Sequence, residues 1–275
     1  MYFAQWAVQR RRPVDRLRFA RVSQFFTSAS AYDRFMGRFS VQLGPPFADF
    51  AGVEGVGRAL DVGCGPGGLT AELAVRLGAE NVSAIDPSEA FVEAARARNP
   101  EVDVRHAPAE EIPFPDDTFD FALAQLVVHF MTDAVAGLRE MARVTRQSGA
   151  VAACVWDYYG GMSPLSPFWS ALEEFDPAAE NESQLAGARE GQLGDLFREA
   201  GLEDVQESSL SVGVEFASFE EWWAPYELGV GPAGAYVAKL AEARREELRE
   251  FCRARMPRAP FSITGKAWAT RGFAT

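Results

Sequence analysis

A glycine-rich segment, DVGCGPGG at positions 61–68, holds the residues whose types and spacing could do chemistry. It follows a short apolar run with the composition of a strand and precedes a helical pattern over 67–77. Glycines let the backbone turn tightly and let a ligand lie against bare main chain, and the helix start beyond them presents unpaired N–H groups. A glycine loop in this context predicts a ligand-binding turn between a strand and a helix.

Two carboxylates restrict the kind of ligand. The spacing of Gly63, Gly65 and Gly68 by itself also fits a dinucleotide fingerprint. Asp61 stands two residues before the first glycine, where its charge would repel a pyrophosphate and attract an ammonium group. Asp86, which ends the next apolar run, suits a ribose diol in either ligand. The pair favours a ligand with an ammonium group, and an NAD-dependent oxidoreductase stays as the alternative.

The elements that must position these residues alternate between apolar runs and helical patterns. Strands are predicted at 59–62, 82–85, 102–105, 119–126 and 150–156, with helices between them that include 67–77 and 133–147. Such alternation predicts right-handed βαβ units and an α/β fold with a doubly wound, mostly parallel, Rossmann-like sheet. The ligand crevice of such a sheet lies at the carboxyl ends of its strands. Late strands at 205–214 and 262–269 would complete a seven-stranded sheet.

Two long stretches interrupt the alternation, at about 158–190 and 215–260. Insertions of this length usually carry a lid or a binding surface, so we expect helical lid insertions here. The second stretch contains Trp222, Trp223 and Tyr226. These rings could form an aromatic wall over an apolar ligand, or they could form the core of the insertion itself.

Composition and charge exclude several classes of protein. With 27 basic and 39 acidic residues the net charge is −12, so neither nucleic acid nor an anionic membrane surface is an expected partner. No run approaches 18 consecutive apolar residues, so no membrane span is expected. Three cysteines without paired spacing predict neither a disulfide framework nor a zinc site, and no metal is expected. This cysteine usage is typical of a reducing, cytoplasmic location.

The N-terminal residues differ from the rest in charge. Positions 1–26 contain six arginines and one acid, which indicates either a basic arm for an anionic partner or a dispensable extension. The expected organisation is an N-terminal arm and capping helix over 1–44, followed by the ligand-binding domain with its two insertions over 45–275. The oligomeric state is not predicted.

Several motifs resemble those of the class I S-adenosylmethionine (SAM) methyltransferases, close to the methyltransferase type 11 (UbiE-like) group. The segments that carry the resemblance are RALDVGCG at 58–65, AIDPS at 84–88, AEEIPFPDDTFD at 109–120, LREMARV at 138–144 and AYDRFMGR at 31–38. Together they cover about residues 30–157. The resemblance implies transfer of a methyl group from SAM to a small-molecule acceptor, with S-adenosylhomocysteine as the product and without a metal. It also implies that the two late strands include an antiparallel edge.

The resemblance assigns a role to each matching position around the cofactor. The loop Gly63–Gly67, with Cys64 and Gly65, would hold the methionine portion, with Asp61 near its amino group. Asp86 would bind both ribose hydroxyls. The residues expected to flank the adenine are Pro87 and Phe91.

Further positions complete the expected cofactor site. Gln125 and Leu126, at the end of the fourth strand, would lie beside the sulfonium. Tyr32 and Arg38 would close over the cofactor, with Arg38 as a partner for its carboxylate.

One position departs from the family pattern. Relatives often carry an acid where this chain has Pro108, and that acid would accept the adenine amino group. Glu110 or the main chain of Ala109 would have to replace this contact.

Methyl transfer from a sulfonium is an in-line displacement, in which a general base assists a hydroxyl or an acidic carbon as the nucleophile. His129, just past the fourth strand, is the candidate catalytic base, and its alternative is a packed histidine at a strand–helix junction. Asp157 and Tyr158 are weaker candidates, while His106 and Cys64 are expected to be structural. The acceptor is expected to be apolar or aromatic. A SAM-binding sensor or scaffold without turnover is the second alternative, because the motifs alone predict binding rather than catalysis.

Overall fold

A computed structural model describes residues 28–275, so the basic stretch 1–26 lies outside the described residues. Among the described residues, seven strands form one sheet in the order β3-β2-β1-β4-β5-β7-β6, and β7 runs antiparallel to its neighbours β5 and β6. The strands are β1 Ala59–Val62, β2 Val82–Asp86, β3 Asp103–His106, β4 Phe119–Gln125, β5 Thr145–Trp156, β6 Glu203–Phe216 and β7 Phe261–Phe273. The predicted doubly wound, mostly parallel, Rossmann-like fold is therefore confirmed.

Ten α-helices flank the sheet within the described residues. They are α1 Ala29–Tyr32, α2 Arg38–Ala51, α3 Gly68–Leu77, α4 Glu89–Arg98, α5 Ala134–Val144, α6 Ser166–Phe175, α7 Gln192–Ala200, α8 Phe219–Trp223, α9 Gly231–Lys239 and α10 Glu242–Arg253. A π-helical turn, Asp33–Gly37, joins α1 to α2. Helix α2 runs through the predicted domain boundary between residues 44 and 45.

The sheet is covered on both faces because successive side chains of a strand point in opposite directions. In β1, Ala59 belongs to an apolar cluster with α2 and α3, whereas Leu60 belongs to a second cluster with α5 and α7. All four residues of β1 are buried. The loops that follow β1, β2, β4 and β5 therefore meet at one edge, where the parallel strands have their carboxyl ends.

The structure corrects the predicted boundary between α5 and β5. The helix was expected to reach Gln147, but it ends at Val144, where the Thr145 hydroxyl donates a hydrogen bond to the Met141 carbonyl at 2.7 Å. The chain then enters β5 directly, five residues before the expected start at Ala150. Residues 146–148 are exposed at this end of the strand. Their polar side chains extend the helical pattern in the sequence, although Arg146 and Gln147 belong to the strand and Ser148 has a left-handed φ of +63°.

The late strands are longer than predicted because they pair with each other along their whole length. Pairing runs from Glu203 with Phe273 to Phe216 with Phe261. The antiparallel strand β7 lies between β5 and β6, so the expected antiparallel edge is in fact an internal strand. Backbone pairing across the sheet, rather than the local apolar pattern, sets these strand ends.

The two insertions pack together on one face of the sheet. Tyr226 of the second insertion stacks on Phe168 of α6, with ring centroids 4.5 Å apart, and Trp222 and Trp223 pack around it. All four rings are buried. Trp222, Trp223 and Tyr226 therefore belong to the core of the second insertion, and they do not line the cavity described below.

Candidate functional site

A cavity of about 280 Å³ opens at the carboxyl ends of the parallel strands. Part of its lining comes from the loops after β1 and β2 and the segment before β4, and we call this the glycine-loop half. It comprises Gly63, Gly65, Asp86, Pro87, Ser88, Phe91, Pro108, Ala109 and Glu110. A second part of the lining comes from the end of β5, the loops after β4 and β5 and the insertions, and we call this the insertion half. It comprises His129, Phe130, Trp156, Tyr158, Leu165, Glu182, Val230, Gly231 and Pro232. Between them the two halves do not contain every lining residue, since Tyr32, Phe35, Met36, Gln125, Leu126, Val127, Met131 and Thr132 also line the cavity.

The glycine loop presents bare main chain to the cavity. Gly63 has φ +70°, and a Cβ there would lie 2.5 Å from the Val127 side chain. Gly65 has φ +54°, and a Cβ there would meet nothing within 4 Å, because the space beside it is open. The left-handed backbone and the contact with Val127 thus require glycine at position 63, whereas the open space at position 65 is available to a ligand.

Asp86 lies at the end of β2 and is held by the glycine loop. Its Oδ2 accepts a hydrogen bond from the Gly65 N–H at 2.9 Å, and its Oδ1 accepts one from the Ser88 N–H at 2.8 Å. Burial raises its pKa to about 6, although both hydrogen bonds and the nearby His106 favour the ionised form. Each carboxylate oxygen can accept a further hydrogen bond, so Asp86 suits a ligand that offers two donors.

Asp61 lies beneath the loop and outside the cavity lining. It is 1% exposed and accepts a hydrogen bond from the Thr70 hydroxyl at 2.7 Å. Burial raises its pKa to about 7, and the charge of Asp86 adds to this shift. Within residues 28–275 neither carboxylate forms an ion pair with a lysine or arginine. A positively charged ligand would therefore stabilise the ionised form of both carboxyl groups.

The end of β4 contributes an unpaired acceptor and a strained residue. Gln125 donates through Nε2 to the Ser40 carbonyl at 2.9 Å, while its buried Oε1 has no hydrogen-bond partner. Leu126 has φ +62°, a left-handed conformation that costs a non-glycine residue about 1 kcal/mol or more. Both residues line the cavity. Strain of this kind is concentrated at functional sites, and no local sequence signal marks it.

The site also includes an aromatic side chain, Tyr32, and an acidic side chain of the glycine-loop half, Glu110. Tyr32, which also lines the cavity, packs edge-on against Phe91, with ring centroids 5.6 Å apart. Burial raises the pKa of the Tyr32 hydroxyl. Glu110 accepts hydrogen bonds at Oε1 from the N–H groups of Thr132 and Asp133, at 2.7 and 3.2 Å. One carboxyl oxygen of Glu110 therefore holds the loop after β4 in place.

Arg38, which was predicted to close over the cofactor, does not line the cavity. Its guanidinium forms an ion pair with Glu221 at 2.8 Å and donates to the Glu215 carbonyl at 2.8 Å. It also lies over the Phe216 ring, 4.5 Å from the centroid. The second insertion thus supplies an acid that the sequence could not pair with position 38.

Two other predicted positions support the loop without lining the cavity. Cys64 is buried, its thiol donates to the Gly65 carbonyl at 3.4 Å, and burial raises its pKa. Gly67 has φ +94°, and a Cβ there would lie 2.5 Å from Asn99 Nδ2. The cavity lining contains eleven of the predicted site residues, namely Tyr32, Gly63, Gly65, Asp86, Pro87, Phe91, Ala109, Glu110, Gln125, Leu126 and His129.

His129 lies in a one-turn helix after β4 and is 6% exposed. Its ring is 3.9 Å from that of Phe130 and 5.7 Å from that of Tyr158, between centroids. Burial lowers its pKa to about 3, and its Nδ1 has no hydrogen-bond partner. The imidazole is therefore neutral at physiological pH, which makes it a better hydrogen-bond acceptor than proton acceptor.

The functional candidate that the sequence did not indicate is Glu182. It lies in a short 3₁₀ turn after α6, lines the cavity and is only 2% exposed. Its Oε2 accepts a hydrogen bond from Trp169 Nε1 at 3.0 Å, and its carboxyl group is hydrogen-bonded to the Tyr158 hydroxyl. Burial raises its pKa to about 7. The local sequence NESQ has the polar composition of an exposed loop, so nothing in it predicts burial.

Asp157, which follows β5, and His106, which ends β3, are held by other contacts. Asp157 accepts a hydrogen bond from the Gly160 N–H at 2.7 Å and pairs with Lys266 at 3.1 Å, so it begins a turn. His106 bonds the Pro87 carbonyl at 2.8 Å and lies 3.2 Å from Glu89.

In the part of the chain that the structure describes, no group of three or more histidines, cysteines or acids could hold a metal ion. None of its helices has the length and apolarity to cross a membrane.

Comparison with known proteins gives a consistent set of matches. The sequence pattern of the family described as "Methyltransferase domain" matches residues 60–153. Demethylmenaquinone methyltransferase of Halalkalibacterium halodurans is 32% identical over 179 residues, which span 56% of this chain and 71% of the relative. The corresponding enzyme of Lysinibacillus sphaericus is 27% identical over 216 residues, 70% of this chain and 92% of the relative.

The fold is similar to that of a solved structure of a candidate methyltransferase from Bacillus halodurans. The TM-score is 0.56 at 18% identity, and the match covers 84% of this chain and 98% of the other. At this identity the similarity extends to the fold alone.

Proposed function

This chain belongs to the class I SAM-dependent methyltransferases, in the type 11 (UbiE-like) group, and from that premise we propose that it methylates a small apolar or aromatic acceptor in the insertion half of its cavity. Methyl transfer from SAM to a small molecule is the reaction of this group. The proposal concerns the acceptor and the role of each residue. Its main support is one continuous cavity that joins the glycine loop to the two insertions.

The glycine-loop half fits SAM on three features of this chain. SAM, when bound, supplies a methyl group on a positively charged sulfur. The two buried carboxylates Asp61 and Asp86 favour a cation with paired hydroxyls, and the open main chain at Gly65 leaves room for the methionine portion. Gln125, at the end of β4, lines the cavity where the sulfonium is expected. We propose that Asp86 binds the ribose hydroxyls and that Asp61 acts on the amino group from behind the loop.

We propose further contacts with the rest of the cofactor. Pro87 and Phe91 flank the adenine, and the main chain of Ala109 bonds the ring edge. Glu110 serves this contact less well than an unconstrained acid would, since its Oε1 already accepts two backbone N–H groups. Helices α1 and α2 act as the cap through Tyr32.

The lining of the cavity supports a neutral acceptor. Among the described residues, the charged side chains that line it are Asp86, Glu110 and Glu182, and no lysine or arginine does so. An anionic acceptor would face these carboxylates without a compensating cation. The remaining lining of the insertion half is largely apolar, including Trp156, Leu165 and Val230. The two bacterial relatives are named for demethylmenaquinone, and an acceptor of similar apolar, aromatic character suits this lining.

The protein contributes alignment and exclusion of water to an in-line displacement, which together can supply about 7–11 kcal/mol. We propose that His129 contacts the acceptor as a neutral imidazole through its unpaired Nδ1. Its role as the catalytic base stays a prediction. A pKa of about 3 gives little driving force for proton transfer to it.

Thermal unfolding with added ligands tests the proposal first. SAM and S-adenosylhomocysteine are expected to raise the melting temperature, whereas NAD is not. At a ligand concentration of 100 times Kd, binding adds about 2.7 kcal/mol to the free energy of unfolding. Stabilisation by NAD alone would instead support an oxidoreductase.

Transfer of labelled methyl from SAM to a panel of neutral aromatic acceptors and their carboxylate analogues then tests the acceptor class. We expect product from neutral members only and unchanged turnover with a metal chelator. SAM binding without turnover on any member would support the sensor or scaffold alternative.

A further inference from the structure

We propose that Glu182 is the catalytic base of the insertion half, and that the acceptor presents a neutral hydroxyl group to its carboxylate. This inference rests on the proposed function and deepens it. Glu182 is a carboxyl group that lines the cavity from the first insertion and is almost fully buried. It forms no ion pair with a lysine or arginine in the described part of the chain. Because no cation neutralises it, the Glu182 carboxylate is available to accept a proton from a ligand.

The groups around Glu182 are neutral donors and aromatic rings. Trp169 donates from α6 at 3.0 Å, and the Tyr158 hydroxyl is bonded from the loop after β5. Tyr226 interacts with it electrostatically from the second insertion, and the ring of His129 lies 5.7 Å from that of Tyr158, between centroids. The two hydrogen bonds favour the ionised carboxyl and burial opposes it, with a resulting pKa of about 7. Efficient general bases have a pKa near the working pH.

Burial has opposite consequences for Glu182 and His129. Both are nearly inaccessible, and burial disfavours the charged form of each. For a carboxyl group this strengthens the base, because its pKa rises to about 7. For an imidazole it weakens the base, because its pKa falls to about 3. Of these two candidates in the insertion half, Glu182 therefore has the better matched proton affinity.

The proposed step balances in atoms and charge. The Glu182 carboxylate takes the proton from the acceptor hydroxyl as the acceptor oxygen forms a bond to the methyl carbon. The bond between that carbon and sulfur breaks, and its electron pair stays on sulfur, which becomes a neutral thioether. The proton leaves Glu182 for solvent after the methyl ether product departs.

Two ring nitrogens of the insertion half have no hydrogen-bond partner among the described residues, which favours an aromatic acceptor that carries oxygen atoms. Trp156 lines the cavity, and its buried Nε1 donor has no hydrogen-bond partner. His129 Nδ1, a donor or an acceptor according to the tautomer, has no partner in the same half. A ligand with hydroxyl or carbonyl oxygens could satisfy both groups, whereas a hydrocarbon could satisfy neither.

Binding of a matched ligand pair tests contact with the carboxylate. The probes are 2-naphthol, which has the proton, and 2-methoxynaphthalene, which lacks it, each titrated into the protein saturated with S-adenosylhomocysteine. Between about pH 6 and about pH 8, affinity for naphthol is expected to rise about tenfold as the carboxyl group ionises, because hydrogen bonds to a charged group are the stronger ones. Glu182→Gln should abolish this rise, and Glu173→Gln, which removes an exposed acid of α6, should retain it.

Methyl transfer from SAM to 2-naphthol tests the base itself. The wild-type rate is expected to rise through about pH 7, and Glu182→Gln should lower it by about 10²–10⁴-fold. Failure of naphthol to bind or react, or equal pH profiles in the wild type and Glu182→Gln, would overturn the inference. Calorimetry of SAM binding and the acceptor panel together separate this failure from failure of the proposed function, since the latter would leave the wild type either without SAM affinity or without turnover on any member of the panel.

Two further variants distinguish positioning from chemistry. Tyr158→Phe removes a hydrogen bond that lowers the Glu182 pKa, so the rise in rate should move to higher pH. His129→Phe should lower the rate but leave the rise near pH 7 in place. Loss of that rise in His129→Phe, with retention in Glu182→Gln, would assign the base to His129 instead.

Discussion

The two halves of the cavity are assembled in different ways. The glycine-loop half takes Gly63, Gly65, Asp86 and Phe91 from two successive strand–loop–helix units, β1 to α3 and β2 to α4. The insertion half brings together His129, Tyr158, Glu182 and Val230, each from a different segment. Nearness in sequence makes the first half visible as a motif, whereas the second exists only after the insertions have packed. This difference explains why the cofactor was predictable and the acceptor site was not.

Burial nevertheless acts on both halves in the same way. It raises the pKa of Asp61 and Asp86 beneath and beside the glycine loop, and it raises that of Glu182 in the insertion half. In the first half the buried carboxylates favour binding of a cation, and in the second half the buried carboxylate favours uptake of a proton. The cost of burying a carboxylate therefore supports cofactor binding in the glycine-loop half and proton transfer in the insertion half.

The largest expected effect separates packing from backbone strain in the glycine loop. Gly63→Ala forces a side chain into left-handed backbone and places its Cβ 2.5 Å from Val127, so we expect the free energy of unfolding to fall by about 2–3 kcal/mol. Gly161→Ala is the matched control, because φ is +69° there and a Cβ would meet nothing within 4 Å. It should cost about 1 kcal/mol. Equal losses in urea titrations would show that strain, not the Val127 contact, makes glycine necessary.

The next effect concerns the cofactor half alone. Asp86→Ala should weaken SAM binding at least tenfold, about 1.4 kcal/mol, because it removes an acceptor for the ribose hydroxyls and the bond that holds the Gly65 N–H. Calorimetry measures this, with Asp103→Ala as an exposed carboxylate control on the adjoining strand. Unchanged affinity for SAM would refute the assigned role of Asp86.

A smaller effect follows from the pH dependence of Asp61. Its pKa rises from 3.8 unfolded to about 7 folded, so the folded state holds the proton more tightly. Stability of the ligand-free protein from this group is therefore greatest below about pH 4 and declines as pH rises towards about 7. Asp61→Asn, which keeps an acceptor for Thr70, should raise stability by about 1 kcal/mol at about pH 8 and change little at about pH 4.

The same variant should weaken SAM binding, so stability and affinity move in opposite directions. A variant that is less stable at both pH values would show that the Thr70 hydrogen bond, rather than the buried charge, dominates at this position.

Particular residues show what the sequence could predict. Periodicity and the glycine loop predicted the fold, and the eleven predicted residues in the cavity lining lie mostly in or beside the local motifs. Glu182 was missed because its burial depends on Trp169 and Tyr158, which α6 and the loop after β5 bring to it. Arg38 lies outside the cavity lining because its guanidinium pairs with Glu221, 183 residues away. Both placements depend on contacts with the insertions, whose packing no local pattern encodes.

The smallest expected effect tests the predicted role of Arg38. Arg38→Ala should leave SAM affinity within about twofold, since the guanidinium pairs with Glu221 rather than lining the cavity, and a partly exposed pair contributes about 1 kcal/mol or less to stability. Glu221→Ala removes the same pair from the other side, and it should produce a similar small loss of stability with no loss of affinity. A tenfold loss of SAM affinity in Arg38→Ala, but not in Glu221→Ala, would mean that Arg38 leaves its partner when the cofactor binds. In that case the division between a preformed glycine-loop half and an insertion-built half would no longer hold, because α2 would join the two only in the bound protein.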